Sequence, residues 1–408
     1  MRSVEDHLAA CLAAVDPLAP RDVPLAAAVD TVLAEDVVSP IDLPGFDNSA
    51  MDGYAVLVPD VVAATPERPV LLPVVADLPA GVHRPDPLRA GGVARIMTGA
   101  PVPAGADAVV PVEWTDGGAE QVEIHRSPRA GQYIRRAGED VKAGTRVLPA
   151  GIRLTARHIA LAAAVGRDLL RVRTRPRVVV VSTGSELVPV GRELAFGQVY
   201  DSNGPSLLAA ALELGCDAEH IGPVPDDATA MLAALRRAAA VGDLVLTSGG
   251  VSAGAYDTVK EVLRAVGGVE FVKVAMQPGM PQGLGVLGES RTPVITLPGN
   301  PVSTMLSFEV FVRPALRKMA GETRLHRHSV PAVVEAGWAS PAGKRQFVRA
   351  RLRRLEDGSA VVERVGGQGS HLIADLAEAD CLVVVPEEVT QVRAGDTLRC
   401  LLLDRTRR

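Results

Sequence analysis

The sequence predicts a multidomain α/β protein, with a three-layer α/β/α domain, an inserted β-rich domain, a helical and extended scaffold and a C-terminal β-barrel. Three observations predict it. Strand-length apolar runs alternate with helical stretches across residues 173–321, the pattern of a parallel sheet with helices on both faces. Short apolar runs broken by Pro and Gly interrupt a helical pattern at 41–136, and strand patterning returns at 322–408. At 408 residues the chain is also too long for one small core.

The elements follow in order. Ser3, with Asp6 three residues on, resembles a capping box, and Val4, Leu8, Cys11, Leu12 and Val15 recur on one helical face until Pro17 and Pro20 end it. A second helical stretch covers 24–33. Strands are then expected at 54–58, 70–75, 93–97, 108–113 and 121–125, before helical character returns at 155–165 with Thr155 as N-cap. The β-rich segment 41–136 therefore reads as an insertion into a scaffold made of 1–40 and 137–172. In the α/β segment the strands are 178–181, 244–246, 269–274 and 294–297, and the helices are 205–214, 228–239, 258–266 and 302–319. The last segment carries strands at 330–334, 347–352, 360–365, 381–385 and 397–403, which suit a small barrel.

Composition excludes several function classes. With 47% hydrophobic but 3% aromatic residues, the cores are built from Val, Leu and Ala. A net charge of −5 with interspersed signs lacks the basic stripe of a nucleic-acid binder, and the arginine run at 349–354 reads as a solvated strand face. No uncharged apolar run reaches about 18 residues, so a soluble, cytoplasmic protein without membrane contact is expected. Cys11, Cys216, Cys381 and Cys400 are far apart and read as buried free thiols.

Three turns in the α/β segment carry ligand-binding chemistry: STGSEL with Thr183, Gly184, Ser185 and Glu186; SGGVSAGAYD with Ser248, Gly249, Gly250, Ser252 and Asp257; and LPGNPVS with Pro298, Gly299, Asn300 and Pro301. Ligands of such sheets bind at the carboxyl ends of the strands, so the three turns are expected to face one crevice. Glycines allow positive φ and aim N–H groups at an anion, while Glu186 offers the hard oxygen that Mg²⁺ prefers. A helix-start carboxylate complementing the dipole is the plainer reading of Glu186. Outside the sheet, PGFDNSAMDGYA sets Asp47, Asn48, Ser49 and Asp52 close together, and IRRAGEDV sets Arg135 and Arg136 beside Glu139 and Asp140, by itself a pattern for a surface ion pair.

Together, PGFDNSAMDGYAV, RIMTGAPVP, RRAGEDV, STGSEL, SGGVSAGAYD and LPGNPVS, in this order, resemble the molybdopterin molybdenumtransferases, the MoeA and gephyrin E-domain family, over essentially the whole chain. The resemblance implies insertion of molybdate into adenylylated molybdopterin with Mg²⁺ and release of AMP, by a homodimer whose α/β domain binds molybdopterin. It further implies Asp52, Thr98, Arg135, Asp140, Glu186, Asp226, Asp257, Lys273, Pro298, Pro301 and Ser370 as site residues, with Glu186, Asp226 and Asp257 as candidate metal ligands. Contact with a molybdopterin adenylyltransferase and with molybdoenzymes is a further expectation. Many relatives carry lysine at one or both of the positions that read Gln277 and Met280 here. Alternative readings are a non-catalytic molybdopterin carrier, a paralogue shifted toward tungstate, and an adenylyltransferase, against which the Asp52 segment and the C-terminal barrel argue.

Overall fold

A computed structural model describes residues 1–81, 84–250 and 258–403. Its central sheet has six strands in the order Asp217–Val224, Arg177–Thr183, Leu244–Ser248, Thr292–Leu297, Pro281–Leu287, Glu270–Lys273. The first four are parallel, but Pro281–Leu287 runs antiparallel to both its neighbours, so the sheet is mixed where an all-parallel one was expected. Period-two alternation divides its apolar residues between two faces. Val178, Val180, Leu244, Leu246 and Ile295 face helix Asn203–Glu213 and the helical run from Pro301 to Met319. On the other face, Val179, Val181, Val245 and Val294 pack against Met231, Leu235 and Ala238 of helix Ala228–Val241. A fully buried side chain of this kind contributes about 1.5–3 kcal/mol.

The N-terminal helix Val4–Ala13 is capped by Ser3, whose hydroxyl accepts the Asp6 N–H. It packs Val4 and Cys11 into the first of these cores, which also takes Phe347, Leu382 and Val384 from the C-terminal segment. A separate core unites Val23, Leu33 and Val37 with Leu148, Leu154 and Leu170, flanking the insertion on both sides in sequence. The second helical stretch is shorter than its pattern, Leu25–Ala28, because Val29 is extended and Asp30 takes φ 60°. Helix Ala156–Ala164 begins at Thr155 with a capping box to His158. Within the insertion, five strands form one sheet with cores on either side.

The C-terminal strands close into a five-stranded barrel, Arg345–Arg354, Ala360–Arg364, Ser329–Val334, Thr397–Leu402 and Cys381–Val385, the last pairing back on the first. Strand Met276–Gln277, from the α/β segment, pairs in parallel with Arg345 and Gln346 of this barrel. Arg349 does not belong to a solvated strand face. It is 4% exposed and donates to the carbonyls of Gly367 and Gly369: it lies on the face of the strand that carries Phe347, opposite the barrel-core residues Val348 and Ala350, and that face too is covered. All four cysteines are free and buried, and no helix among the described residues is long and apolar enough to cross a membrane.

Glu309 ties the α/β segment to the barrel. It lies in a π-helical turn, Phe308–Val312, with its side chain 8% exposed, and accepts Arg313 Nε at 2.6 Å and Arg327 Nε at 2.5 Å. Arg327 also donates to the carbonyls of Leu402 and Leu403 at the end of the last strand. Burial pushes the Glu309 carboxyl up, but the two guanidinium groups more than offset this and hold it below the ordinary carboxylate range. Glu309→Gln is expected to lower unfolding stability by about 3–5 kcal/mol in urea titrations, since it leaves two cations without their buried counter-charge.

His7 is fully buried beside Cys11 and edge-on to Phe311. Burial, then the charge of Arg2, pushes its pKa down to about 4, with Glu270 opposing. A base whose folded pKa is depressed contributes stability above its unfolded pKa of about 6.5 and loses it as pH falls toward 4. His7→Gln should therefore flatten the dependence of unfolding free energy on pH between about 6.5 and 4, where the parent protein loses up to about 3 kcal/mol.

Candidate functional site

Three motif stretches of the inserted segment meet. Asn48 and Ser49 pair with Arg135 and Ile134, while Gly99 N–H donates to the Ser49 carbonyl and Val102 N–H to that of Asp47. Asp47 is the hub of this assembly: Oδ1 accepts the Ala137 N–H at 2.8 Å and Oδ2 accepts Arg136 Nη1 at 2.6 Å. Arg136 is thus paired with Asp47, while its own N–H goes to Glu139. The Ala137 N–H and, against some burial, the Arg136 guanidinium hold Asp47 below the ordinary carboxylate range. Asp52 Oδ1 accepts the Thr98 N–H at 2.7 Å, so two of the expected site residues close on each other. That N–H and the Thr98 hydroxyl keep the Asp52 carboxyl ionised to lower pH than usual. Arg135, paired with Asn48, and Asp140, whose N–H donates to the Leu43 carbonyl, are both exposed.

The second half lies at the carboxyl ends of the parallel strands, around a cleft of about 540 Å³ whose walls include Glu186, Asp201, Asn203, Pro298, Asn300 and Pro301. Two of the three expected turns line it. In the first, Gly184 has φ 148°, and a Cβ there would lie 2.6 Å from Glu186 Oε2, so glycine lets the glutamate fold back over the backbone. Asp226 and Ser185 clasp each other: Ser185 N–H donates to Asp226 Oδ2 at 3.1 Å and Asp226 N–H to Ser185 Oγ at 2.9 Å. In the third turn, Asn300 Nδ2 donates to Ser370 Oγ at 2.9 Å and Val302 N–H to the Ser370 carbonyl, which docks the barrel loop onto the Pro298–Pro301 turn.

The open-cradle expectation needs correction at two glycines. Gly184 N–H donates to the Val224 carbonyl and Gly249 N–H to that of Leu297, so neither is free for an anion. Thr183 Oγ1 is likewise spent on the Ser248 carbonyl. The buried Ser248 hydroxyl has no partner among the described residues and is the group left to meet a ligand at that strand end. Gly250 follows it with φ 70°. Ser252 and Asp257 lie outside the described residues. Lys273 is exposed at the end of the edge strand, opposite Pro281, which lines the cleft.

Sequence reasoning missed two parts of the site. One is Asp201–Ser202–Asn203, at the start of helix Asn203–Glu213; Asn203 Nδ2 donates to the Gly299 carbonyl at 2.7 Å and lies in the cleft wall. Its only signal was a short Val-Tyr strand before polar turn residues. The other is Arg349, which shares a cavity of about 20 Å³ with Gln277. There Trp338 Nε1 donates to Gln346 Oε1 at 3.0 Å and Gln346 Nε2 to Gln277 Oε1 at 3.3 Å. Met280 contributes its carbonyl to the Val274 N–H.

No group of three or more His, Cys, Asp or Glu suited to a metal occurs among the described residues. Mg²⁺ asks for less, since one or two carboxylates and substrate phosphates suffice, and the exposed Glu186 and Asp226 fit that requirement.

A mixed α/β sheet with a cleft at the strand ends, a barrel loop docked on one of the turns that line it, and a separate acidic cluster on an inserted sheet define a multidomain protein of ligand-binding type. Matches to known families place the chain within it. Residues 2–166 match the MoeA N-terminal region (domain I and II), 179–318 the probable molybdopterin binding domain, and 331–403 the MoeA C-terminal region (domain IV). Molybdopterin molybdenumtransferase 2 of Mycobacterium tuberculosis is 48% identical over 407 residues, covering 98% of this chain and 99% of that protein. The Haemophilus influenzae molybdopterin molybdenumtransferase is 37% identical over 376 residues, 91% of each chain. The crystal structure of the molybdopterin biosynthesis MoeA protein from Pyrococcus horikoshii superposes with a TM-score of 0.82 at 33% identity, covering 98% of this chain and 99% of that one. The chain belongs to the MoeA family.

The Asp47 hub makes a separable prediction. Its ion pair is solvent-exposed and worth little, so Asp47→Ala should cost only about 1 kcal/mol, mostly from the Ala137 N–H bond. Hydrogen exchange of backbone amides at 134–141 should nevertheless rise about tenfold, measured by mass spectrometry.

Proposed function

We propose that this protein is a cytoplasmic molybdopterin molybdenumtransferase, which inserts molybdate into adenylylated molybdopterin and releases AMP. The observation that carries the proposal is the cleft at the strand ends, where Glu186, Asn203 and Asn300 stand around a volume sized for such a ligand, with Asp226 bonded to the Ser185 turn and Ser370 to Asn300 behind its wall. Four domains divide the work: a scaffold of 1–40 and 137–172, the insertion 41–136, the α/β domain 173–321 and the barrel 322–408. The Asp52–Thr98 half-site and the Glu186 half-site are carried by different domains, and we infer that a homodimer brings the first of one subunit to the second of its partner.

Each group has a role set by its chemistry. Ser248 and the Gly250 turn hold a phosphate of the pterin adenylate, and the Pro298–Pro301 turn, stiffened by two fixed φ angles, walls it in. Glu186 and Asp226 hold Mg²⁺, which when bound offsets the crowded negative charge of phosphate and molybdate. Asp257 is a third candidate ligand. Arg135 and Lys273 supply fixed positive charge for the incoming oxyanion. Asp52, kept ionised by Thr98, and Asp140 orient groups at the other side of the reacting centre.

Purified protein given adenylylated molybdopterin, Mg²⁺ and molybdate is expected to release AMP in proportion to molybdate; its absence from folded protein would sink the proposal. Glu186→Gln should lower kcat about a hundredfold, and Gly184→Ala, which displaces the same carboxylate, at least tenfold with the melting temperature within a few degrees. Gln277→Lys should tighten molybdate about tenfold to a hundredfold, the worth of a charge-assisted contact, read as a lower KM for molybdate.

A further inference from the structure

Beneath the start of helix Asn203–Glu213 lies a buried polar cluster with no part in the roles above. His220, on strand Asp217–Val224, places Nε2 2.7 Å from Ser182 Oγ and 3.3 Å from Asp201 Oδ2. Ser182 is 0% exposed and Asp201 2%. Asp201 Oδ1 accepts the Gly204 N–H at 2.9 Å, which caps the helix, whereas Oδ2 makes no hydrogen bond among the described residues and has His220 Nε2 at ion-pair distance. Nε2 thus meets Ser182 by a hydrogen bond and the Asp201 carboxylate by proximity of charge. The helix start rests directly on this imidazole. A Cβ at Gly204 would lie 2.2 Å from His220 Nε2 and 2.5 Å from Ser182 Oγ, so only glycine permits the approach.

The cluster joins three pieces of the cleft. Ser182 immediately precedes the Thr183–Glu186 turn on its strand, Asp201 opens the turn that ends in Asn203, and Asn203 Nδ2 holds the Gly299 carbonyl. Asn203 is 7% exposed, and its Oδ1 has no partner among the described residues, so the acceptor it presents beside the cleft is only as well placed as the turn that carries it. Burial pushes Asp201 up, yet His220, the Gly204 N–H and Ser182 hold its carboxyl below the ordinary range, consistent with a charge fixed in place by these contacts.

We propose that His220 is a positioning residue of the molybdopterin cleft: by bridging Ser182 and Asp201 it fixes the Asp201–Asn203 turn, and through Asn203 it sets the Gly299 turn against which substrate lies. The inference rests on the transferase reading for its kinetic consequence but not for its structural one. An interaction that orients the ground state and transition state alike changes KM and leaves kcat.

The test compares wild type, His220→Ala, His220→Gln and Ser182→Ala, with melting temperature, hydrogen exchange of a peptide spanning 200–206, and AMP release at varied adenylylated molybdopterin. His220→Ala should raise KM about tenfold with kcat within about twofold, and speed exchange at 200–206 at least tenfold while 244–248 is unchanged. Glutamine, whose amide reaches the position of Nε2, should restore most of both. Folded His220→Ala with wild-type KM and wild-type exchange overturns the proposal, as does a fall in kcat at unchanged KM. If His220→Ala does not fold, Ser182→Ala decides: faster exchange and a raised KM support the bridge, and neither changing overturns it. Absence of AMP release from the wild type defeats the transferase reading, and the exchange comparison then decides the positioning role alone.

Discussion

Glu309 is the interaction on which the geometry of the molecule turns. A carboxylate removed from water is costly, and this one is tolerated because two guanidinium groups face it in close contact. One comes from its own helix and the other from the chain leading into the barrel, which also grips the barrel's last strand. A neutral apolar contact would permit sliding; paired hydrogen bonds to a forked cation do not. The barrel is thereby set at one angle to the sheet, and Ser370 arrives at Asn300 rather than some ångströms away.

The cleft shows how a binding site is made by leaving little unsatisfied. Most N–H groups of its turns are bonded within the protein, which makes the turns rigid, and among the described residues the buried side-chain atoms left without a hydrogen bond there include the Ser248 hydroxyl, Asp201 Oδ2 and Asn203 Oδ1. Buried polar atoms of this sort cost free energy until a ligand meets them. They therefore favour an occupant with hydrogen-bonding groups at matching places over one that merely fits the volume.

Much of this was legible in the sequence, and the failures have physical causes. The turns at Gly184, Gly249 and Gly299 were readable because apolar strand runs end abruptly in glycine. The antiparallel Pro281–Leu287 strand was not, since Pro281, Gly283 and Gly285 mimic a loop. Yet a Cβ at Gly283 would press on Thr296 and Phe271, and one at Gly285 on Val269, so those glycines serve close packing. Asp217–Val224 escaped notice because its alternating burial mixes Asp, Glu and His with Gly and Pro at a sheet edge. Arg349 looked like surface because charge suggests solvent, whereas the outer face of its strand is covered there and offers it the carbonyls of Gly367 and Gly369. The convergence of the Asp52, Thr98 and Arg135 stretches rests on Asp47, whose bonds span 90 residues and lie beyond any local pattern.

Strand Met276–Gln277 is encoded in the α/β segment but hydrogen-bonded to the barrel, with Arg345 N–H donating to the Ala275 carbonyl. The barrel is consequently not a portable module. A polypeptide starting near residue 322 would close its five strands yet expose an unpaired backbone edge at Arg345 and Gln346, an invitation to self-association. Exchange of C-terminal barrels between relatives would have to respect the sequence at 276–277 as part of the exchanged unit. The boundary drawn along the chain and the boundary drawn through space are different lines.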